Sequence, residues 1–163
     1  MLMRQTTRNH LVDRIRRLFG GLPCRVQVAA LPWRKKGDDV EVLLVTSRET
    51  GRWVLPKGWP EGQEDLYMAA AREAAEEAGV DGAVSRFEIG RYFYDKLRPS
   101  GMEWRCEVLV FPLEVDRLAD KWPEKKKRKR EWFPAAEAAK RVREADLAEL
   151  IAQFGVNPRK SLA

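Results

Sequence analysis

The chain has little with which to staple itself or to ligate a soft metal: two cysteines and one histidine in 163 residues. Cys24 and Cys106 lie far apart, inside apolar or alternating segments where a thiol usually behaves as a small buried hydrophobe, so neither a disulfide nor a thiolate metal site is expected. His10 stands in a polar N-terminal arm with no second histidine to pair with, and is read as solvated. No apolar run approaches the roughly 18 residues of a membrane span, and the N-terminus lacks the unbroken apolar stretch of about 7–15 residues of a secretory signal. The expectation is a cytoplasmic protein without a membrane span. Internal repeats are also missing, and the length suits one compact domain around a single core.

What the chain does have is positive charge, a formal +6 with a pI near 9.5. Such a balance suits a polyanionic partner, but alone it leaves nucleic acid, membrane surface and a phosphorylated small molecule equally open.

Along the chain, Leu11, Ile15, Leu18 and Phe19 share one helical face with Arg14, Arg16 and Arg17 elsewhere, so 1–22 reads as a basic amphipathic segment. It could touch an anionic membrane, but packing on its own domain is favoured. The domain proper is expected over 23–155, with a tail at 156–163. From Cys24 to Leu31, Arg25 and Gln27 alternate with Val26, Val28 and Ala30, the pattern of a strand with one buried face. Val40–Thr46 reads as a buried strand, and Trp53–Leu55 as a short extended piece stopped by Pro56. Residues 64–78 lack Gly and Pro, are rich in alanine and end at Gly79, which predicts a helix. Phe87–Tyr94 and Trp104–Leu113 read as a hairpin with a long polar loop. Glu131–Phe133 suggests a strand, and Pro134 opens a helix to about Phe154. Strands, helix, strands, helix make an α+β domain with helices packed on a mixed sheet.

The chemistry concentrates between Gly58 and Val80. Glu73, Glu76 and Glu77 sit three and four apart on one side of the predicted helix, where like charges repel unless compensated. A divalent cation is the obvious compensator, because Mg²⁺ prefers hard oxygen ligands and commonly bridges carboxylates to a substrate phosphate. Arg72 adds a fixed cation that can orient a carboxylate. Taken alone, the cluster reads first as a solvated helix face. The full spacing is more specific: Gly58, five residues, Glu64, seven residues, Arg72-Glu73, an apolar residue, any residue, Glu76-Glu77, any residue, Gly79 and an apolar residue. This resembles the Nudix box of the Nudix hydrolases at every specified position. The resemblance implies an αβα sandwich with a loop–helix–loop, Mg²⁺ (or Mn²⁺), and hydrolysis of a diphosphate linked to a further group. It places metal ligands at Gly58 (carbonyl), Glu73 and Glu77. Glu76 becomes the preferred proton acceptor with Glu73 its competitor, and Arg72 joins them in the catalytic set.

Outside the box, Glu41–Val45, Arg52–Gly58 and Arg128–Phe133 resemble diphosphoinositol polyphosphate phosphohydrolases, which act on inositol pyrophosphates and long diadenosine polyphosphates. That likeness implies Arg25, Ser47, Arg48, Lys57, Gly58, Trp59, Arg98 and Arg130 around the phosphates of a polyphosphorylated small molecule. Lys57 and Trp59 depart from the animal members, which carry glycines there. An indole at Trp59 could stack on adenine, or simply cover the loop. In the run Lys125–Arg130, Lys125–Lys127 read as a solvated loop and only Arg130 as a phosphate clamp; a nucleic-acid partner is not favoured. A non-catalytic nucleotide-sensing module is the rival reading, but such proteins usually lose box glutamates, and none is lost here.

Overall fold

The computed structural model describes residues 24–158, so the amphipathic segment expected over 1–22 and the tail beyond 158 lie outside the described residues. Eight strands run in chain order as β1 (Arg25–Lys36), β2 (Asp39–Thr46), β3 (Trp53–Val54), β4 (Lys57–Gly58), β5 (Val80–Val84), β6 (Gly90–Leu97), β7 (Glu103–Leu118) and β8 (Arg130–Pro134). Among the described residues three helices punctuate them: α1 (Leu66–Ala78) between β4 and β5, then α2 (Ala135–Arg141) and α3 (Ala145–Val156) after β8.

The sheet is mixed, as expected. Its path is β3-β2-β1-β7-β5, with β4 on β1, β6 on β7 and β8 on β2. The β1–β7 pair is parallel, Arg25 opposite Cys106, while every other pair is antiparallel. Successive β1 side chains leave opposite faces of the sheet. Ala29, Leu31 and Trp33 pack with Leu147, Ile151 and Phe154 of α3, whereas Val28 and Ala30 pack with Ala69, Ala70, Ala74 and Ala78 of α1. Helices therefore cover both faces, giving the αβα sandwich.

That double cover corrects one expectation. β1 is not half-buried: every residue from Gln27 to Trp33 is buried, because a central strand paired in parallel and capped on both faces has no solvent side. The single C-terminal helix is also two. Val142 between α2 and α3 is extended (φ −80°, ψ 152°) with its side chain in the core, and the turn lets α3 lay Leu147, Leu150, Ile151 and Phe154 on the sheet. β5 is a strand that its own residues do not announce, because Asp and Gly at its centre are depleted in strands. Gly82 marks a bulge where β5 meets β7, close enough to the Glu114 carbonyl that a Cβ would collide with it.

The loop before α1 positions the site. α1 starts at Leu66, two residues later than expected, because the Glu64 carboxylate turns back to accept the Glu61 N–H at 2.7 Å. It stops at Gly79, whose φ of 63° lets its N–H reach the carbonyls of Ala74 and Ala75.

Candidate active site

One face of α1 carries Ala69, Ala70, Ala74 and Ala78 into the core, and Glu73 and Glu77 lie on that same buried side. Small alanines bring the helix close to β1 and β4, which drives the two carboxylates against backbone. Glu73 lands on Gly58 of β4: a Cβ there would overlap its carboxylate, so only glycine leaves the space. Glu77 accepts the Lys57 N–H at 3.1 Å and pairs with the Arg128 guanidinium, itself buried, at the entry to β8. Glu76, one step round the helix, keeps 48% of its side chain exposed.

Arg72 organises the loop side of this face. Its guanidinium donates to Glu73 (2.8 Å), to both oxygens of Glu64 (2.8 and 3.3 Å) and to the Trp59 carbonyl (3.1 Å), and lies 3.6 Å from Glu76. The fork thus ties the first and last parts of the loop to the helix. The bond from Arg72 holds Glu64 below the usual carboxylate range. Burial does the opposite to Glu73, raising its pKa against the pull of Arg72. Burial likewise pushes Glu77 up to about 7, although Arg128 and Lys57 oppose it. Lys57 is pushed down by burial, with Glu77 opposing, and its ammonium lies over the Tyr94 ring at 5.2 Å.

Among the described residues no three acid, thiol or imidazole side chains already converge on one point. The donor chemistry nevertheless fits a hard divalent cation. Two carboxylates buried at a raised free energy, beside a backbone strand that comes within contact of one of them, would lose that penalty on binding a cation.

The other predicted residues fall into two groups flanking these glutamates. Ser47 and Arg48 lie in the turn after β2: Ser47 Oγ shares a hydrogen bond with Thr50 Oγ1, and Arg48 is 3.5 Å from Glu124. Glu124 also pairs with Arg128, which donates to the Thr46 carbonyl as well (3.0 Å), so this group joins Glu77. On the other flank, Trp59 meets Trp104 edge-on at 6.5 Å, and the guanidiniums of Arg25 and Arg98 stack on Trp104 at 3.3 and 4.0 Å.

Arg130 does not join either group. Its guanidinium donates to the carbonyls of Ala78 (2.7 Å) and Ala119 (2.9 Å) and stacks on Trp122 at 3.9 Å, so it caps the C-terminal end of α1. Arg128 is the member of the basic run that reaches the glutamates. The sequence signal was present, since both arginines precede Glu131-Trp132-Phe133, but Arg128 lies in the loop before β8 and Arg130 opens the strand, and spacing alone does not say where a loop side chain turns. Arg130→Ala is expected to cost about 2–3 kcal/mol of stability, from two charge-assisted bonds and one cation–π contact. A thermal melt beside a kcat within about twofold of the parent would bear this out; an unchanged melting temperature with a raised KM would return Arg130 to the substrate.

The comparisons with known proteins agree with this architecture. The family described as NUDIX domain matches residues 23–154. Similar sequences include Nudix hydrolase 21, chloroplastic, of Arabidopsis thaliana, 33% identical over 134 residues, which are 80% of this chain and 66% of that protein. Another is diphosphoinositol polyphosphate phosphohydrolase 3-alpha of Mus musculus, 34% identical over 116 residues, 70% of this chain and 66% of that protein. The chain thus spans about two thirds of the length of these relatives. Among solved structures, a C. elegans Ap4A hydrolase binary complex superposes with a TM-score of 0.62 at 22% identity, covering 80% of this chain and 95% of that one, a likeness of fold. No helix among the described residues is long and apolar enough to cross a membrane.

Proposed function

The chain belongs to the NUDIX domain family, and from that premise we propose that it hydrolyses a diphosphate linkage in a highly phosphorylated small molecule, an inositol pyrophosphate or a dinucleoside polyphosphate. The observation that carries this reading is the pair of buried glutamates on α1, Glu73 in the space left by Gly58 and Glu77 between Lys57 and Arg128, with basic side chains on both sides, ion-paired at Arg48 and Arg128 and, among the described residues, without a carboxylate partner at Arg25 and Arg98. The names of the similar proteins, one a diphosphoinositol polyphosphate phosphohydrolase and one an Ap4A hydrolase, support the same two substrate classes.

In this reading Glu73, Glu77 and the Gly58 carbonyl hold Mg²⁺ or Mn²⁺. The bound cation would supply neutralisation of phosphate oxygens and a lowered pKa for water. Arg72 fixes the Glu73 carboxylate in its orientation. Glu76, half-exposed and close to Arg72, accepts the proton of the attacking water. Arg48 and Arg128 on one flank, and Lys57, Arg25 and Arg98 on the other, bind the phosphate chain and set it in line. The hydrolase domain comprises residues 23–155 and acts in the cytoplasm.

Each extra phosphate gains a charge-assisted bond, about twice as strong as a neutral one, so length discrimination should be large. At fixed Mg²⁺ and ionic strength, inositol pyrophosphates or diadenosine penta- and hexaphosphate should show kcat/KM at least about tenfold above nucleoside triphosphates and ADP-ribose. A phosphate-release panel decides. Were ADP-ribose or a single nucleoside triphosphate the best substrate, the polyphosphate reading would fall and the family membership would stand.

A further inference from the structure

Beyond the glutamates, one surface cluster has a composition that phosphate binding does not explain. Trp59 directly follows Gly58, and its carbonyl is held by Arg72, so its indole stands at the edge of the glutamate site. Trp104 meets it edge-on at 6.5 Å with planes 78° apart. Three cations lie on these two rings: Arg25 and Arg98 on Trp104, and Lys96, the β6 residue opposite Trp104, at 5.8 Å over Trp59. Among the described residues none of the three forms an ion pair with a carboxylate, whereas Arg34, Arg52, Arg72, Arg91 and Arg128 all do. Both indoles remain partly exposed.

Cations alone would suffice for a bare phosphate chain, and the puckered, hydroxylated or phosphorylated ring of an inositol offers no π-face to an indole. Two indoles and two flat guanidiniums, by contrast, are surfaces on which a heteroaromatic base stacks, with little dependence on which base it is. Resting on the polyphosphate reading above, we propose that Trp59 and Trp104, with Arg25, Arg98 and Lys96, form a stacking subsite for the nucleobase of a dinucleoside polyphosphate. The base lies against Trp59, and the adjoining phosphates run past Arg25, Arg98 and Lys96 toward Lys57 and the glutamates. The subsite selects the dinucleoside class over inositol pyrophosphates.

The test has two arms. In wild-type protein without divalent metal, where no turnover confuses the reading, calorimetric titration should show ADP binding roughly tenfold or more tighter than inorganic diphosphate, the gain expected of one stacked base. In the second arm, Trp59→Leu and Trp104→Leu should each lower kcat/KM for diadenosine pentaphosphate roughly tenfold or more, mainly through KM, with inorganic polyphosphate of similar length changed less than about threefold. Trp59→Phe and Trp104→Phe should restore most of the loss. Equal affinity for ADP and diphosphate in the wild type overturns the proposal without any variant. An equal loss on base-bearing and base-free substrates also overturns it, since the indoles would then only hold the arginines. If inositol pyrophosphates are cleaved but ADP gains nothing from its base, this subsite fails and the polyphosphate reading stands. If ADP binds as expected but no polyphosphate is cleaved, the polyphosphate reading fails and the base subsite stands.

Discussion

Glu73→Gln and Glu77→Gln, made singly, are expected to lower kcat/KM on the best polyphosphate substrate by about a thousandfold, equivalent to ~4 kcal/mol of barrier, with the far-ultraviolet spectrum unchanged. The amide keeps the shape of each side chain, so the Gly58 contact and the Lys57 N–H bond retain a partner. What it removes is the charge that a divalent cation requires. The pKa of Glu77 tells how the loss should depend on pH. Its folded value, about 7, is raised above that of an exposed glutamate because burial disfavours the anion. The native state therefore binds the proton more tightly than the unfolded chain, and this group favours folding most at low pH. Its contribution is lost as pH rises from about 4.5 toward 7. A cation competes with that proton. The rise in melting temperature on adding Mg²⁺ should accordingly grow between pH 5.5 and 7 and level off above, and in Glu77→Gln it should be small and flat. Full activity of both variants at saturating Mg²⁺ would show that these carboxylates do not hold the cation.

The box carries so much of the site because its function depends on local geometry. A helix fixes the relation of Arg72, Glu73, Glu76 and Glu77 from spacing alone, and the glycine before it fixes what the helix rests on. Those residues were legible, and they fall together in space. Residues contributed by the sheet were less so. A strand residue's side depends on register and on which faces are covered, and both are settled by partners distant in sequence. Hence β1 looked half-buried when helices cover both its faces, and of two arginines two positions apart it is Arg128, in the loop before β8, that pairs with Glu77, while Arg130 donates to the Ala78 carbonyl. Trp104 escaped notice for the same reason. Nothing in its own segment says that it stands beside Trp59, because the pairing of β6 with β7 and of β1 with both β4 and β7 brings them together. The break at Val142 was hidden by a continuous alanine-rich pattern, and only the need to lay α3 on the sheet reveals it.

Gly58 provides the remaining large effect, and its signature separates space from conformation. Its backbone does not have a positive φ, which among the described glycines is confined to Gly37, Gly51, Gly62, Gly79, Gly90 and Gly101, so alanine could adopt the same conformation without strain. A methyl at Gly58 would instead occupy the position of the Glu73 carboxylate, the mobile end of a flexible side chain. The fold can give way there at small cost, but Glu73 cannot stay where Arg72 holds it. Gly58→Ala should therefore melt within about 3 °C of the parent, a shift worth ~1 kcal/mol, while kcat/KM falls about a hundredfold, the size expected when a reacting geometry is displaced by an ångström. Gly37 in the β1–β2 turn supplies the opposite case. With φ at 64° and nothing within 4 Å of an added Cβ, Gly37→Ala should cost ~1–2 kcal/mol of stability and leave activity unchanged. A melt and a kcat/KM for each variant complete the comparison. If Gly58→Ala were as active as the parent, the Glu73 carboxylate would not need the space that this glycine leaves, and its place as a ligand beside the Gly58 carbonyl would have to be given up.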